Sequence, residues 1–262
     1  MNAIGIDLRL RRLFNHQDDK TMVVAVDHGI EGTPKGLENP EATIRKLIHA
    51  GIQGILLNPG LLLHTAHLFR NHDRPAVIVS LDMYVNSAEP QGKPSGDSYI
   101  ALTSVEDAVS LGADAVKVVL VFGQSSERSY ALNLEKVAEA IRQAHRLGMP
   151  VMLETVVWGQ ALDSTRWRSQ AFVGHMMRIG VELGADILKV PYIGPAESFA
   201  EHVRHCPVPV TLLGGPQEKE DDVVAEAEQA VRAGVRGFVY GRNIWQHADP
   251  AAMVARLLNL FN

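Results

Sequence analysis

Short apolar runs recur along the chain, each followed by a turn and then by a stretch with amphipathic helical spacing. Runs rich in Val, Ile and Leu are typical of strands that are buried on both faces of a parallel sheet. Eight such strands are predicted, at residues 21–26, 54–57, 76–80, 115–121, 150–156, 187–191, 208–213 and 237–240. The clearest helices are predicted at residues 40–50, 134–147, 171–183, 219–233 and 250–260.

The alternation of strands and helices implies a parallel sheet with helical crossovers. Eight units in one chain of 262 residues favour a closed barrel over an open doubly wound sheet. An open Rossmann-like sheet would require a G-x-G-x-x-G sequence after an early strand, and this chain has none. We therefore predict an α/β fold, a (β/α)8 TIM barrel, in a single catalytic domain that spans residues 1–262.

The catalytic face of such a barrel is formed by the carboxyl ends of the strands and by the loops that follow them. The longest irregular stretch, residues 86–98, follows the third predicted strand and therefore belongs to this face. It is either a lid over the site or a plain surface loop. The polar residues at the strand ends are the candidates for chemistry.

Composition and charge narrow the classes of partner. Hydrophobic residues make up 46% of the chain and charged residues 21%, which is an ordinary globular balance. The formal net charge is −5 and no block of Lys and Arg occurs, so no nucleic-acid partner is expected. The single cysteine, Cys206, excludes an internal disulfide and suits a reducing compartment. Without a signal peptide or a long apolar span, the chain is predicted to be soluble and cytoplasmic, with no membrane partner.

Two predicted strands carry a lysine in the same sequence context. The fourth reads GADAVKVVLV and the sixth reads GADILKVPYIG, which places Lys117 and Lys189 at equivalent depths. Desolvation disfavours an ammonium group inside an apolar strand unless that group is paired or functional. Burial and a neighbouring cation both lower the pKa of a lysine, which makes its amine nucleophilic enough to form a Schiff base. The alternative is that one of the two lysines points outward between strands and helices.

Carboxylates and a histidine accompany the lysines. The fifth predicted strand, PVMLETVVWG, holds Glu154 in an apolar run, where an unpaired carboxylate would be destabilising. We interpret Glu154 as an acid–base group, the alternative being a structural ion pair with a barrel lysine. The first strand ends in VAVDHG, with Asp27 and His28 at its tip. Asp27 is interpreted as binding substrate hydroxyls or a cation, the alternative being a turn or helix cap.

Glycines follow the last two predicted strands, which end in TLLGGPQ and VYGRN. The loops after these two strands are the usual phosphate site of barrels. Gly214, Gly215 and Gly241 permit the close approach of backbone N–H groups, and Arg242 can bind phosphate through two nitrogens. The two motifs together predict a phosphate site.

Histidine pairs offer a weaker signal. His64 and His67 are spaced as i and i+3, as are His202 and His205, and such pairs can bind a metal. Both pairs fall on predicted helices away from the strand ends, so we interpret them as solvated helix faces and predict no metal site. Cys206 precedes a proline and a strand and is interpreted as packing.

The sequence resembles the class I aldolase superfamily of (β/α)8 barrels. The segments VAVDHGIEGTPKGLENP, GADILKVPYIG, LLGGP and VYGRNIWQ are similar to the archaeal-type fructose-bisphosphate aldolase family, which also includes the autoinducer-2 phosphate thiolase and an aminodideoxyheptulosonate synthase. The resemblance covers nearly the whole chain. It implies that Lys189 is the Schiff-base lysine and that Asp27 is a site residue. It also implies that the glycine loops after the seventh and eighth strands grip phosphate.

One position departs from this pattern. The archaeal-type aldolases carry a tyrosine acid–base residue on the fifth strand, near the position of Val156 in this chain. The segments GADAVKVVL and PVMLETVV are instead similar to tagatose-bisphosphate and sulfofructose-phosphate aldolases. In that branch a fourth-strand lysine and a fifth-strand glutamate serve the site, and the similarity implies those roles for Lys117 and Glu154.

The predicted reaction is class I aldol cleavage or formation on a ketose phosphate or a sulfo-sugar analogue, with a dihydroxyacetone or dihydroxyacetone phosphate product. Lys189 attacks the ketose carbonyl, and Glu154 moves the protons. Lys117 helps to hold Lys189 neutral, and Asp27 orients hydroxyls. No metal or organic cofactor is expected, because the iminium ion itself acts as the electron sink.

Four other functions stay open at this point. A thiolase-like enzyme would transfer an acyl group from a phosphorylated diketone to coenzyme A. A transaldolase-type enzyme would transfer a ketol unit, and a metal-dependent aldolase or isomerase would lose activity with a chelator. A non-catalytic barrel would bind sugar phosphates without forming an imine. A homo-oligomer is expected, because barrels of this kind often assemble.

Overall fold

The strands form a closed barrel in the computed structural model, which describes residues 3–15, 19–84, 98–159, 161–163 and 168–261. In chain order the strands are β1 (Thr21–Ala25), β2 (Gly54–Leu57), β3 (Ala76–Ser80), β4 (Asp82–Tyr84), β5 (Tyr99–Ala101), β6 (Ala115–Phe122), β7 (Val151–Val157), β8 (Ile187–Val190), β9 (Val210–Leu213) and β10 (Gly237–Tyr240). Eight of them pair in parallel in the ring β1-β10-β9-β8-β7-β6-β3-β2. The predicted (β/α)8 barrel is confirmed.

Helices surround the ring. They are α1 (Ala3–Leu13), α2 (Pro40–His49), α3 (Pro59–Thr65), α4 (Val105–Ser110), α5 (Glu127–Arg146), α6 (Gln170–Leu183), α7 (Ala196–Arg204), α8 (Glu220–Arg232), α9 (Arg242–Trp245) and α10 (Pro250–Leu258). Helix α5 begins seven residues before the predicted start at 134, because the Ser126 side chain caps it by accepting a hydrogen bond from the backbone N–H of Ser129. No helix in the described ranges is long and apolar enough to cross a membrane.

The apolar runs form strands because a closed barrel buries both of their faces. Every residue of β1 and of β6 is buried. Side chains alternate along a strand, so Val23 and Ala25 pack inside the barrel while Met22 and Val24 pack against the helices. The barrel interior is therefore filled by a small apolar cluster below the strand ends.

The strand boundaries differ from the prediction by at most two residues, and one hairpin was not predicted. Strand β9 begins at Val210 rather than 208, because Pro209 has no N–H to donate to the ladder. Strands β4 and β5 form a short antiparallel ribbon that the pattern did not predict, with Asp82 opposite Ala101 and Tyr84 opposite Tyr99. In the sequence, the predicted loop 86–98 falls between these two strands, and its residues 86–97 lie outside the described residues.

Candidate active site

A pocket opens at the carboxyl ends of the barrel strands. It is lined by all nine residues that the sequence predicts for the site: Asp27, His28, Lys117, Glu154, Lys189, Gly214, Gly215, Gly241 and Arg242. The fold brings them together because strand ends that are far apart in sequence converge on one face of the closed barrel.

Both strand lysines point into the barrel. Lys117 follows the inward-facing Ala115 by two residues, and Lys189 follows the inward-facing Ile187 by two residues. The alternation of side chains therefore turns both ammonium groups toward the interior. Lys117 is 4% exposed and Lys189 is 5% exposed. The alternative in which one lysine faces outward is excluded.

Lys189 and Glu154 form the closest ion pair of the pocket. Strand β7 pairs with β8 so that Glu154 lies directly opposite Lys189 in the register. The Nζ atom of Lys189 lies 2.8 Å from Oε1 of Glu154. Both side chains are buried, so this contact joins the candidate nucleophile to a proton acceptor at hydrogen-bond distance.

Lys117 lies among three carboxylates. Its Nζ atom is 3.7 Å from Asp27 Oδ2, 3.8 Å from Asp82 Oδ1 and 3.8 Å from Glu154 Oε2. Burial alone would lower the pKa of Lys117, but the negative charges of Asp27, Glu154 and Asp82 raise it above its ordinary value. Lys117 therefore stays a cation in the pocket. The lowered pKa that burial predicts for a strand lysine is not found at Lys117.

Asp27 lies at the tip of β1, where a short 3-10 helix (Asp27–Glu31) begins. Its Oδ1 atom is 3.3 Å from Nδ1 of His28. Burial raises the pKa of the Asp27 carboxyl, but the His28 ring and the charge of Lys117 outweigh that effect and hold the pKa well below its usual range. Asp27 is therefore ionised throughout the neutral range, and its other oxygen faces Lys117.

Asp82 is a site residue that the sequence analysis missed. It is buried, and its Oδ2 atom accepts a hydrogen bond of 2.9 Å from the backbone N–H of Val119. Its Oδ1 atom has no hydrogen-bond partner among the described residues and faces Lys117 at 3.8 Å. Burial raises the pKa of Asp82 to about 7, although the Lys117 charge opposes this. Asp82 therefore titrates near neutral pH beside Lys117.

The raised pKa of Asp82 predicts a pH-dependent stability difference for Asp82→Asn. A carboxyl with a pKa of about 7 in the folded state binds its proton more tightly than in the unfolded state, so wild-type stability falls as pH rises from about 4 to about 7. The asparagine variant lacks this loss and keeps an acceptor for Val119. We therefore expect the unfolding free energy of the variant minus that of wild type, measured by urea unfolding, to be about 2 kcal/mol larger at pH 8 than at pH 5.

The control for this experiment is Asp73→Asn, which removes the same charge from an exposed position. Its unfolding free energy should differ from wild type by the same amount at both pH values. A constant difference for Asp82→Asn as well would show that Asp82 is ionised at pH 5 and would contradict the assigned pKa.

The loops after β9 and β10 are held together by one side chain. The Nδ2 atom of Asn243 donates to the Gly214 carbonyl at 2.6 Å, and its Oδ1 accepts from the Glu218 backbone N–H at 2.9 Å. Gly241 packs so closely on β1 that a Cβ atom there would lie 2.9 Å from the Ala25 carbonyl oxygen. The Nε atom of Arg242 is buried without a hydrogen-bond partner among the described residues. These loops thus line the pocket with glycine backbone and with Arg242, whose buried Nε atom has no partner in the described part of the chain.

The histidine pairs lie away from the pocket. His64 is on α3 and His202 is on α7, and neither they nor His67 and His205 line the pocket. The described residues contain no cluster of three or more His, Cys, Asp or Glu side chains arranged to hold a metal ion. His64 and His202 thus lie on helices, and all four histidines lie outside the lining of this pocket.

Comparison with known proteins assigns a family to these features. The family model described as "DeoC/LacD family aldolase" matches residues 21–247, which is most of the chain. A 2-amino-4,5-dihydroxy-6-oxo-7-(phosphonooxy)heptanoate synthase of Streptomyces griseus is 32% identical over 257 residues, covering 97% of this chain and 89% of the relative. A 2-amino-3,7-dideoxy-D-threo-hept-6-ulosonate synthase of Halobacterium salinarum is 33% identical over 258 residues, covering 98% and 91%.

Solved structures agree with this assignment. A Schiff-base-forming fructose-1,6-bisphosphate aldolase, studied through its reaction intermediates, superposes with a TM-score of 0.79 at 26% identity. The match covers 98% of this chain and 100% of that one. An archaeal fructose 1,6-bisphosphate aldolase superposes with a TM-score of 0.79 at 25% identity over 98% of both chains.

Proposed function

Because this chain belongs to the DeoC/LacD family of aldolases, within the class I aldolase superfamily, we propose that it forms and breaks a carbon–carbon bond of a ketose phosphate through a Schiff base on Lys189. The observation that carries the proposal is the buried contact of 2.8 Å between Lys189 Nζ and Glu154 Oε1 at the strand ends. It supplies a nucleophile and a proton acceptor in one place.

The first half of the reaction forms the imine. The ammonium of Lys189 first gives a proton to Glu154, and the neutral amine then attacks the ketone carbon. Glu154 gives this proton to the carbonyl oxygen, which becomes the carbinolamine hydroxyl. Glu154 next takes a proton from the nitrogen and passes it to that hydroxyl, which leaves as water and gives the iminium ion. At 2.8 Å from Nζ, the Glu154 carboxylate needs only a small movement to reach both the nitrogen and the departing oxygen.

The second half breaks the bond between the carbon next to the iminium carbon and the hydroxyl-bearing carbon one place further along the chain. Glu154 removes the proton of the hydroxyl group on the far carbon, which becomes an aldehyde as the carbon–carbon bond breaks. The bonding electrons enter the iminium and give an enamine on Lys189. Protonation of the enamine carbon and hydrolysis of the imine release the ketone product, so the reverse sequence is aldol addition.

Lys117 and Asp27 form the electrostatic frame of this site. Lys117 stays charged because three carboxylates surround it, and its ammonium can donate to the oxygen atoms of the substrate. Asp27 stays ionised and accepts hydrogen bonds from substrate hydroxyls, with His28 as a second polar group beside it. Charged groups fixed before the substrate arrives stabilise developing charge without reorganisation.

The phosphate of the substrate is assigned to the loops of Gly214, Gly215, Gly241 and Arg242. An anion there would satisfy the buried Nε of Arg242, which has no partner in the described part of the chain. The relatives support a dihydroxyacetone phosphate donor. The heptanoate of the Streptomyces relative carries a ketone beside a phosphonooxy-bearing carbon, as fructose-bisphosphate does, so both contain that unit.

Exchange of donor protons with solvent tests the proposed function without knowledge of the aldehyde. An aldolase that forms an enamine from dihydroxyacetone phosphate incorporates deuterium from D2O at the carbon that bears the free hydroxyl, which NMR detects. We expect stereospecific exchange that needs neither coenzyme A nor a metal. Dependence on coenzyme A would favour the thiolase-like function, and abolition by a chelator would favour a metal-dependent enzyme.

Replacing Glu154 by glutamine is expected to slow this exchange about 10²- to 10⁴-fold, because the amide cannot accept or return a proton. The fold should be retained, since Gln keeps the shape of the side chain. The measurements are the exchange rate and the single-turnover rate of imine formation. Full turnover in both directions in Glu154→Gln would show that another group moves the protons.

A further inference from the structure

We propose that the aldehyde half of the substrate is apolar and binds against one side of the pocket, formed by Tyr84, Val119, Val156 and Trp158. We call this surface the apolar wall. The inference rests on the proposed function, because it takes the phosphate to lie at the glycine loops and the ketone carbon to lie at Lys189. It adds the chemical class of the second reaction partner, an aldehyde with an alkyl or aryl chain and no second phosphate.

The apolar wall lies across the barrel from the phosphate loops. In the closed ring of strands, β6 is four places from β10, and β3 is four places from β9, so each pair is diametrically opposed. Val119 is on β6 and Tyr84 follows β3, whereas Arg242 follows β10 and Gly215 follows β9. Val156 lies on β7, the strand next to Lys189 on β8, so a substrate that runs from the phosphate loops past Lys189 and onward to β7 and β6 meets this wall.

The wall is a packed surface with little polar character. Tyr84, Val119 and Val156 belong to one buried apolar cluster, and Trp158 packs against it. The Tyr84 and Trp158 rings meet edge to face with centroids 6.2 Å apart. The Tyr84 hydroxyl accepts a hydrogen bond of 3.2 Å from Gln124 Nε2, which leaves the ring to form the surface. Side chains held in this way offer a preformed site for apolar groups.

The rim above the wall continues its apolar character. Met83, next to Tyr84, is partly exposed where it lines the pocket. The side chains from Val119 up to Met83 thus give the described pocket an apolar surface beside the buried carboxylate of Asp82, which is turned toward Lys117 and the Val119 backbone N–H.

The charge distribution disfavours a second anion on this side. Of the cationic side chains in the described lining, Lys117 and Lys189 are paired with carboxylates, and Arg242 lies at the opposite loops. A phosphate placed against valine and tryptophan would lose its hydration without a compensating hydrogen bond. An alkyl or aryl chain in the same place would be removed from water, which is favourable.

Aldol addition with one donor and a series of aldehydes tests the inference. Dihydroxyacetone phosphate is combined with propanal, butanal, pentanal, 3-phenylpropanal, glyceraldehyde or glyceraldehyde 3-phosphate. We expect kcat/KM to rise about fourfold per methylene from propanal to pentanal. We expect pentanal to exceed glyceraldehyde 3-phosphate by at least about tenfold.

Variants of two valines separate the wall from the cluster beneath it. Val156→Thr places a hydroxyl in the wall at nearly constant volume. For each variant, kcat/KM for pentanal is normalised by dividing it by that variant's rate of deuterium exchange into dihydroxyacetone phosphate. We expect this normalised value to be about tenfold lower in Val156→Thr than in wild type, mainly because KM for pentanal rises. Val121→Thr makes the same change in the same cluster, where the side chain does not line the pocket. Its normalised value should equal wild type.

The outcomes distinguish the inference from the function beneath it. Deuterium exchange into the donor together with a preference for glyceraldehyde 3-phosphate would overturn the apolar wall and leave the Schiff-base function standing. A normalised value for Val156→Thr equal to wild type would overturn it as well. Absence of exchange in folded protein would remove the proposed function, and the inference with it.

Discussion

Replacing Lys189 by methionine is expected to abolish aldol chemistry, with kcat/KM lower by at least about 10⁴-fold, because the electron sink of the reaction is formed on its Nζ atom. Among the described residues that line the pocket, the other lysine does not compensate for this loss. Lys117 also reaches Glu154, at 3.8 Å, but it is held as an ammonium ion by three carboxylates and has no free electron pair. Deuterium exchange into dihydroxyacetone phosphate should fall to the rate without enzyme.

The matched control is Lys189→Arg, which keeps a cation beside Glu154. Arginine stays protonated in proteins and cannot form an imine, so this variant should be as inactive as Lys189→Met. Its free energy of unfolding in urea should be closer to the wild-type value than that of Lys189→Met, because the arginine retains the ion pair with Glu154. Residual exchange within tenfold of wild type in either variant would exclude Lys189 as the site of the covalent intermediate.

Replacing Lys117 by methionine is expected to lower both activity and stability. The change leaves Asp27, Asp82 and Glu154 buried without their shared counter-ion, and removal of one partner from a buried ion pair costs about 3–5 kcal/mol. We expect kcat/KM to fall about 10³-fold, because the fixed cation near the substrate oxygen atoms is lost. Urea unfolding and the exchange assay measure the two effects separately.

The stability loss of Lys117→Met should depend on pH. The raised pKa of Lys117 means that its stabilising contribution is complete below the ordinary lysine pKa, so it is present in full between pH 5 and pH 8. Its partner Asp82 is protonated at pH 5 and ionised at pH 8. Relative to wild type, Lys117→Met should therefore lose more unfolding free energy at pH 8 than at pH 5. An equal penalty at both values would contradict the charge arrangement, and Lys46→Met, at an exposed lysine, controls for the loss of one positive charge.

The architecture and most of the site could be predicted from the sequence because they depend on periodicity. Buried parallel strands need continuous apolar runs, so a charged residue such as Lys189 or Glu154 within a run stands out. A period of two then decides the direction of each side chain, and the matched contexts of Lys117 and Lys189 place both on the inner face. The comparison with relatives agrees with the class of chemistry that these positions indicate.

Asp82 and the pKa of Lys117 could not be predicted in the same way. Asp82 lies beyond the end of β3, where the apolar run has stopped, although it keeps the inward parity of Ile78 and Ser80. That parity is the signal that could have identified it. The direction of the Lys117 pKa depends on three carboxylates from different strands, and only the closed barrel brings them within 4 Å. The position of the apolar wall likewise depends on β6 and β10 lying on opposite sides of the barrel, which cannot be read from the order of residues along the chain.

Borohydride trapping tests the central claim most directly. Wild-type protein is incubated with dihydroxyacetone phosphate, reduced with sodium borohydride, digested and analysed by peptide mass spectrometry. The proposed mechanism predicts one reduced adduct per chain, on the peptide that contains Lys189, and none in Lys189→Met. An adduct on Lys117 in the wild type, or no adduct in folded protein, would contradict the assignment of Lys189 as the Schiff-base lysine.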